Sequence, residues 1–353
     1  MSRYGHISIR NSHKWSIADG VKITPYMRHL MLLAGQEDNY QASSQYIELF
    51  LRIKADDSQI HRLCRYYGEA LEEENKEIQG QIVASSEGMR DKLKEEEVVY
   101  AMMDGCQLPT RPQQSEQGNI GSWKEMKLGR VFIESEHLSL GNKPNVIRSS
   151  LYMSHFGKHD EFTDKFEQVV DTFDSLDERL VFINDGASWI EQWISSTYPR
   201  ATDILDFFHA AEYLHGFSKV LFSKQTQQKE AEQWVKQQRD ALLDDGIQQV
   251  IDRIANLELQ GKAKQEARRK ILTYYTNNQH RMYYKTYRSK GLLIGSGPIE
   301  SAHRFVLQKR MKQSGQKWTQ QGGQAVANLR VVYLNQQWDR VVNLINDCHF
   351  CPN

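Results

Sequence analysis

The sequence predicts an α/β fold: a mixed sheet flanked by helices, with an all-helical insertion and an N-terminal helical segment. Three observations carry that expectation. Two short apolar runs of strand type, Val98 to Met103 and Leu180 to Ile183, lead into acid-glycine pairs at Asp104-Gly105 and Asp185-Gly186. Residues 209–290 carry apolar positions at helical rather than strand spacing. A third acid, Glu300, follows Gly295-Ser296-Gly297-Pro298, a helix start.

Taken in order, residues 1 to about 35 are polar and poorly periodic. Between 40 and 71, two short helical patterns, one with Tyr46, Ile47, Leu49 and Phe50 and the next with Ile60, Leu63 and Cys64, are joined by Arg52 to Ala55. The second carries Arg62 and Arg65 on its polar side, so 1–71 reads as an N-terminal region with a candidate helix-turn-helix. Residues 72–97, with acidic triplets at Glu72 to Glu74 and Glu95 to Glu97, read as an exposed, charged helical connector.

The core domain is expected to begin at 98. After the first strand, Trp123 to Ile133 reads as a second, with Gly129 marking a bulge, and Val146 to Met153 as a third. An amphipathic helix follows from about Asp160 to Phe173, with Phe162, Phe166, Val169 and Val170 on one face, then the fourth strand at 180–183. Three meandering strands, a helix and a fourth strand is the opening order of a ribonuclease H-like fold. A short helix, Trp189 to Ser195, and a fifth strand, Thr202 to Phe208, complete the stretch 98–208.

The helical stretch 209–290 is too long for a loop and is expected as an insertion. The catalytic domain then resumes over 291–345, with Ser296 as N-cap, Pro298 in the first turn and Glu300 in that same turn, and 346–353 form a tail.

Composition narrows the class. At 353 residues and 39% hydrophobic, the chain has room for a catalytic core and smaller units. No apolar run reaches the roughly 18 residues a membrane span needs, and the first fifteen residues lack a signal-peptide core, so no membrane partner and a cytoplasmic location are expected. The four cysteines, at 64, 106, 348 and 351, are too scattered for a disulfide framework. Cys348 and Cys351 make an incomplete zinc pattern and are read as inert thiols.

Net charge is zero, but from Lys262 to Lys317 fourteen Lys or Arg face two acids, a local charge of +12. Interleaved with Tyr274, Tyr275, Tyr283, Tyr284, Tyr287 and Trp318, this stretch suits a nucleic-acid backbone with unstacked bases nearby. Arg288, Lys290, Lys309, Arg310 and Lys312 are expected to hold DNA, joined by Arg62 and Arg65. Arg304, one helical turn past Glu300, is expected to steady a phosphate or pair with a carboxylate. Asp104, Asp185 and Glu300 are the candidate catalytic and metal residues, because Mg²⁺ prefers oxygen ligands and phosphodiester cleavage is served by two ions bracketing the phosphate.

The segments Tyr-Ala-Met-Met-Asp-Gly at 100–105, Trp-Lys-Glu-Met-Lys-Leu-Gly-Arg-Val-Phe at 123–132, Phe-Ile-Asn-Asp-Gly-Ala-Ser-Trp-Ile at 182–190 and Gly-Ser-Gly-Pro-Ile-Glu-Ser-Ala-His-Arg at 295–304 resemble those of ISKra-type bacterial insertion-sequence transposases. Val-Leu-Gln-Lys-Arg-Met-Lys at 306–312 and Asn-Leu-Arg at 328–330 extend the resemblance over roughly 98–340. It implies a DDE transposase that cuts and joins double-stranded DNA at element ends. Two Mg²⁺ ions, or Mn²⁺ in their place, would sit on Asp104, Asp185 and Glu300, and the working complex would be at least a dimer. It also implies a bacterial, nucleoid-associated location when DNA is bound.

Transposases related to Mutator and hAT elements carry a Cys-or-Asp, two residues, His motif that Asp206-Phe207-Phe208-His209 resembles, making Asp206 and His209 accessory positions. Longer members of the ISKra-type family have an upstream segment, often with paired cysteines, whereas some 35 residues and no cysteine precede the helical patterns here. The alternatives are a ribonuclease H-like nuclease or resolvase that cuts without joining, and a non-catalytic DNA-binding derivative of a transposase.

Overall fold

Val99–Gln113 (β1) and Ile120–Ile133 (β2) pair antiparallel in a long hairpin, which Leu151–His155 (β5) extends antiparallel beyond β2. On the other side of β1, Leu180–Asn184 (β6) and then Thr202–Leu205 (β7) join in parallel, giving the order β5-β2-β1-β6-β7. This mixed sheet, three antiparallel strands followed by two parallel ones, is the ribonuclease H-like arrangement the element order predicts. The computed structural model describes residues 23–77, 92–113, 120–138, 146–173, 177–223 and 225–347. Expectations for residues 1–22 and for Cys348 and Cys351 fall outside them.

The strand runs are apolar throughout because both sheet faces are covered. Tyr100, Met102, Val181 and Ile183 point to one face, and Val99, Ala101, Met103 and Phe182 to the other. His159–Val170 (α4) and Ser188–Thr197 (α5) seal the second face through Phe162, Phe166, Ile190 and Ile194. Gly129 is not a bulge, since β1 and β2 keep register through it. A Cβ there would fall 2.3 Å from the buried Phe166 ring, so glycine is required by the closeness of α4. The single strand expected over Val146 to Met153 is two pieces: Val146–Ile147 (β4) pairs with His137–Leu138 (β3) in a separate ribbon, and only β5 joins the sheet.

The fifth strand stops at Leu205 rather than Phe208, because Asp206 turns the chain into a helix by accepting a hydrogen bond from the Phe208 N–H (2.8 Å). The helical insertion follows as Phe207–Leu221 (α6), Gln228–Leu243 (α7), Ile247–Ala255 (α8), Lys262–Asn278 (α9) and Tyr284–Ser289 (α10). Its apolar faces share one core with the sheet, including Leu214, Val250, Ile271 and Tyr275.

Glu300 lies on Gly297–Ala302 (α11), which continues through a π-helical stretch, His303–Gln308, into Lys309–Met311 (α12). Gln320–Leu334 (α13) and Trp338–Asp347 (α14) complete the chain. The N-terminal helices Pro25–Glu37 (α1), Tyr40–Leu51 (α2) and Asp57–Glu77 (α3) build a third core with α13 and α14, from Leu32, Ile60, Leu63, Tyr67, Leu329 and Val341. At Gly68 a Cβ would fall 2.2 Å from the Ala325 carbonyl oxygen, which shows how closely α3 and α13 approach.

That packing reaches into both ends of the stretch expected as an exposed connector over 72–97, of which residues 78–91 fall outside those described. Helix α3 runs on to Glu77, Glu72 takes hydrogen bonds from Lys165 and Asn328, and Glu74 pairs with Arg340. At the other end Glu97 is buried and accepts the backbone N–H groups of Lys94 and Ser135. These acids tie helices and turns together instead of facing solvent.

Candidate active site

Strand register places the first two acids side by side. Met102 on β1 lies opposite Ile183 on β6, so two residues further along parallel strands Asp104 comes opposite Asp185. Asp104 continues the alternation of Met102 and therefore faces the side on which α11 packs through Ile299 and Ala302, and Asp185 follows directly on the end of β6. Asp104 lies within β1 where β6 ends, and its Oδ1 accepts the Gly105 N–H at 2.6 Å. Asp185 begins the turn into α5, with Oδ1 accepting the Ala187 N–H at 3.0 Å.

Glu300 is brought to this side by bonds made elsewhere on its helix. Buried Arg130 of β2 donates to the Pro298 carbonyl (2.6 Å), and the Phe207 N–H donates to the Ile294 carbonyl (2.9 Å). Ser296 stands at the N-cap position as expected, yet its hydroxyl caps no backbone N–H. It donates instead to Asp206 Oδ2 (2.6 Å) and lies 3.3 Å from Glu300 Oε1. Asp206 is thereby a buried tie between the end of β7 and the start of α11. His209 lies apart from it, with Nδ1 3.5 Å from Glu212 and its ring edge-on to Tyr213 and Tyr274.

The electrostatics show the three acids as neighbours. Burial first, and then the charges of Asp185, Glu125 and Glu300, push the Asp104 carboxyl up to about 6. His303, one turn after Glu300 and 2% exposed, lies with Nε2 3.6 Å from Asp104 Oδ2. Burial drives its imidazole down to about 4, only partly offset by the Asp104 backbone, so the ring is neutral at pH 7. Neither ring nitrogen meets a partner at hydrogen-bonding geometry. Glu125 and His303 escaped the sequence reading, although both lie inside quoted motifs.

As a donor set these residues suit a hard divalent cation, because they offer carboxylate oxygens whose mutual repulsion a cation relieves. Among the described residues, no three His, Cys, Asp or Glu side chains are close enough together to grip a single ion.

The basic positions divide. Arg310, expected on DNA, is fully buried: its Nε donates to the Gly35 carbonyl at the end of α1 (2.9 Å), and its guanidinium lies over the Tyr40 and Trp318 rings. A buried guanidinium satisfying a helix C-terminal carbonyl is a fold element, and this corrects the expectation. Lys309 is exposed but pairs with Glu37. Arg288, Lys290, Arg304 and Lys312 are exposed; burial raises the Cys106 thiol, an effect Lys312 partly offsets, and burial lowers the His303 imidazole, to which Lys312 adds. Arg62 and Arg65 are exposed on α3, Arg65 in an ion pair with Glu69, and together with Arg111 they act on His61.

Fold and site together define a ribonuclease H-like α/β protein with three acids facing one side of the sheet where β6 ends. The chain belongs to the Uncharacterised protein family (UPF0236), which it matches over residues 42–346. Among solved structures it is similar to the Drosophila P element transposase strand transfer complex, at 9% identity, covering 90% of this chain and 81% of that one with a TM-score of 0.30. At that degree of superposition the likeness is broad only. No curated protein matches it. No helix among the described residues is long and apolar enough to cross a membrane.

Proposed function

We propose that the chain is a DDE transposase that cleaves DNA at the ends of an insertion sequence and joins the freed ends to a target. The observation that carries this reading is the parallel register of β1 and β6, which brings Asp104 level with Asp185 just past the end of β6, with Glu300 close enough to help raise the Asp104 carboxyl to about 6. The ISKra-type resemblance of the segments around all three acids agrees with it.

On this reading Asp104 and Asp185 would hold one Mg²⁺ or Mn²⁺, and Glu300 with Asp104 a second. Such ions supply Lewis acidity to the attacking oxygen and neutralise the leaving 3′-oxygen. The chain's own side chains do the rest. Asp185 is preset by the Ala187 N–H, Glu300 by the Ser296 hydroxyl, and neutral His303 adds no competing positive charge beside Asp104. Exposed Arg304 and Lys312 would meet the DNA backbone, a contact whose strength falls steeply with salt. Two element ends held together imply at least a dimer in the working complex.

The test is cleavage of labelled element-end DNA with Mg²⁺ or Mn²⁺ by the wild type and by Asp185→Ala. Loss of cleavage in the variant, with folding retained, is expected; equal activity refutes the reading. Supplying DNA with free 3′-hydroxyl ends then separates a transposase, which joins them, from a nuclease or resolvase, which does not.

A further inference from the structure

The turn that carries Asp185 is held from the far side by the helical insertion. Arg281, just after α9, is 0% exposed, and its Nη1 donates both to Asn184 Oδ1 (3.1 Å) and to Asp203 Oδ2 (2.7 Å). Asn184 is itself fully used: its Nδ2 donates to Asp203 Oδ1 (2.9 Å), and its Oδ1 also accepts the Gly186 N–H (3.0 Å). The rest of the guanidinium is fixed by Asn278, which accepts from Nε (3.1 Å) and Nη2 (2.5 Å) and whose own amide donates to the Tyr274 carbonyl. One buried cation thus bridges α9 of the insertion to the ends of β6 and β7.

A second strut reaches the acid directly. Tyr274 of α9 donates its hydroxyl to the Asp185 carbonyl at 2.9 Å, and its ring is held by Tyr213 of α6, stacked at 3.7 Å and 7°. Gly186 makes room for this contact. Its φ is +91°, and a Cβ there would fall 3.2 Å from the Tyr274 ring and 2.8 Å from Leu205. Asn184, Asp185 and Gly186 are therefore each gripped by a residue of the insertion or through one.

We infer that Arg281 and Tyr274 are positioning residues for Asp185, so that docking of the insertion sets the second acid in place. This rests on Asp185 being a metal-binding acid, as proposed above. Two of these bonds, Arg281 to Asn184 and Tyr274 to the Asp185 carbonyl, end on one three-residue turn, while Arg281 also pairs with Asp203 of β7 and lies 3.7 Å from Glu191 of α5, so local exchange at the turn is what separates positioning from general stabilisation. The guanidinium joins Asn184 and Asp203, held through Nη1, to Asn278, held through Nε and Nη2, and an ammonium, a point charge without a planar fork, cannot keep both sides.

The test compares the wild type with Arg281→Lys, Tyr274→Phe and Asp185→Asn, using two readouts that need no DNA. Backbone hydrogen exchange at residues 184–187 reports the turn itself, and Mn²⁺ titration followed by electron paramagnetic resonance reports the acid. In Arg281→Lys, exchange at 184–187 is expected to rise at least tenfold while β1 and β2 stay protected, and Mn²⁺ affinity to fall at least tenfold, towards that of Asp185→Asn. Tyr274→Phe, which loses one hydroxyl and cannot unfold the chain, should show the same pattern about threefold. Unchanged exchange at 184–187 in both variants overturns the inference, as does raised exchange there with Mn²⁺ affinity intact. If the wild type and Asp185→Asn bind Mn²⁺ alike, the metal role of Asp185 fails, and exchange at 184–187 alone decides whether the insertion holds the turn.

Discussion

Replacing Asp104 by Asn should stabilise the metal-free protein at neutral pH while abolishing strand cleavage. The folded chain holds the Asp104 carboxyl at about 6 against an ordinary 3.8, through burial and then through Asp185, Glu125 and Glu300. A rise of about two units corresponds to roughly 3 kcal/mol, favouring the protonated form in the folded state. Because the side chain is 38% exposed, solvent screening reduces this to about 1 kcal/mol. That amounts to a shift of about 2 °C in Tm for a chain of this size.

The sign follows from linkage. A carboxyl whose folded pKa is raised contributes stability that is complete below its unfolded pKa of 3.8 and is lost as pH climbs through about 6. At pH 7.5 the wild type has lost it and carries the like charges unrelieved, whereas Asn stays neutral and keeps an Oδ1 to accept the Gly105 N–H. Thermal melts in EDTA should therefore show Asp104→Asn about 2 °C above wild type at pH 7.5 and level with it near pH 4. On the transposase reading, added Mg²⁺ raises the wild-type melt and leaves the variant's unmoved. A variant that melts at or below wild type at pH 7.5, or whose advantage persists at pH 4, refutes the account of a strained acid pair.

Three further outcomes follow from the fold. Arg310→Ala should lower stability by about 3 kcal/mol in urea unfolding, by orphaning the Gly35 carbonyl and two aromatic faces. Lys312→Ala should leave stability within about 0.5 kcal/mol and reduce the slope of DNA affinity against salt by about one. Gly129→Ala should cost about 1–3 kcal/mol, also read by urea unfolding, because the buried Phe166 ring, packed against Phe162 and Trp193, has nowhere to yield to a Cβ 2.3 Å away.

The start of β1, the strand at 180–184, the helices on either side of Asp185 and the order that makes the sheet ribonuclease H-like were legible because each rests on local pattern, continuous apolar runs and helical spacing, whereas β1 does not stop at Asp104-Gly105 but runs on to Gln113. The adjacency of Asp104 and Asp185 was implicit in the same runs, since the parallel register of β1 and β6 brings the two acids level, although only β6 stops at its acid and β1 runs through Asp104 to Gln113. Other features depend on atoms distant in sequence. That Gly129 serves ring packing follows from Phe166 on another element, and that Asp206 ends a strand and ties down Ser296 follows from a residue ninety positions later. The break between β4 and β5 falls at the polar Arg148-Ser149-Ser150, an interruption short enough to be read as part of one strand.

Charge was the least legible property, for a physical reason. A +12 stretch reads as a surface, and most of it is exposed, yet four of its cations turn inward, three of them to helix ends, where unpaired carbonyls and the negative end of the helix dipole call for cations. Arg310 takes the Gly35 carbonyl of α1, Lys264 takes Leu221 of α6, and Arg268 takes Ala255 and Leu257 past the end of α8. Arg281 holds the Asp185 turn, and Lys270, Lys285 and Lys309 pair with acids. Subtracting these does not disperse the remainder. Arg304 follows Glu300 by one turn and Lys312 acts on His303 beside Asp104, so outward charge persists where the acids gather. Carboxylates that repel phosphate and cations that attract it are thus set within reach of one another, and only a substrate that is itself anionic, bound together with divalent metal, would satisfy both at once.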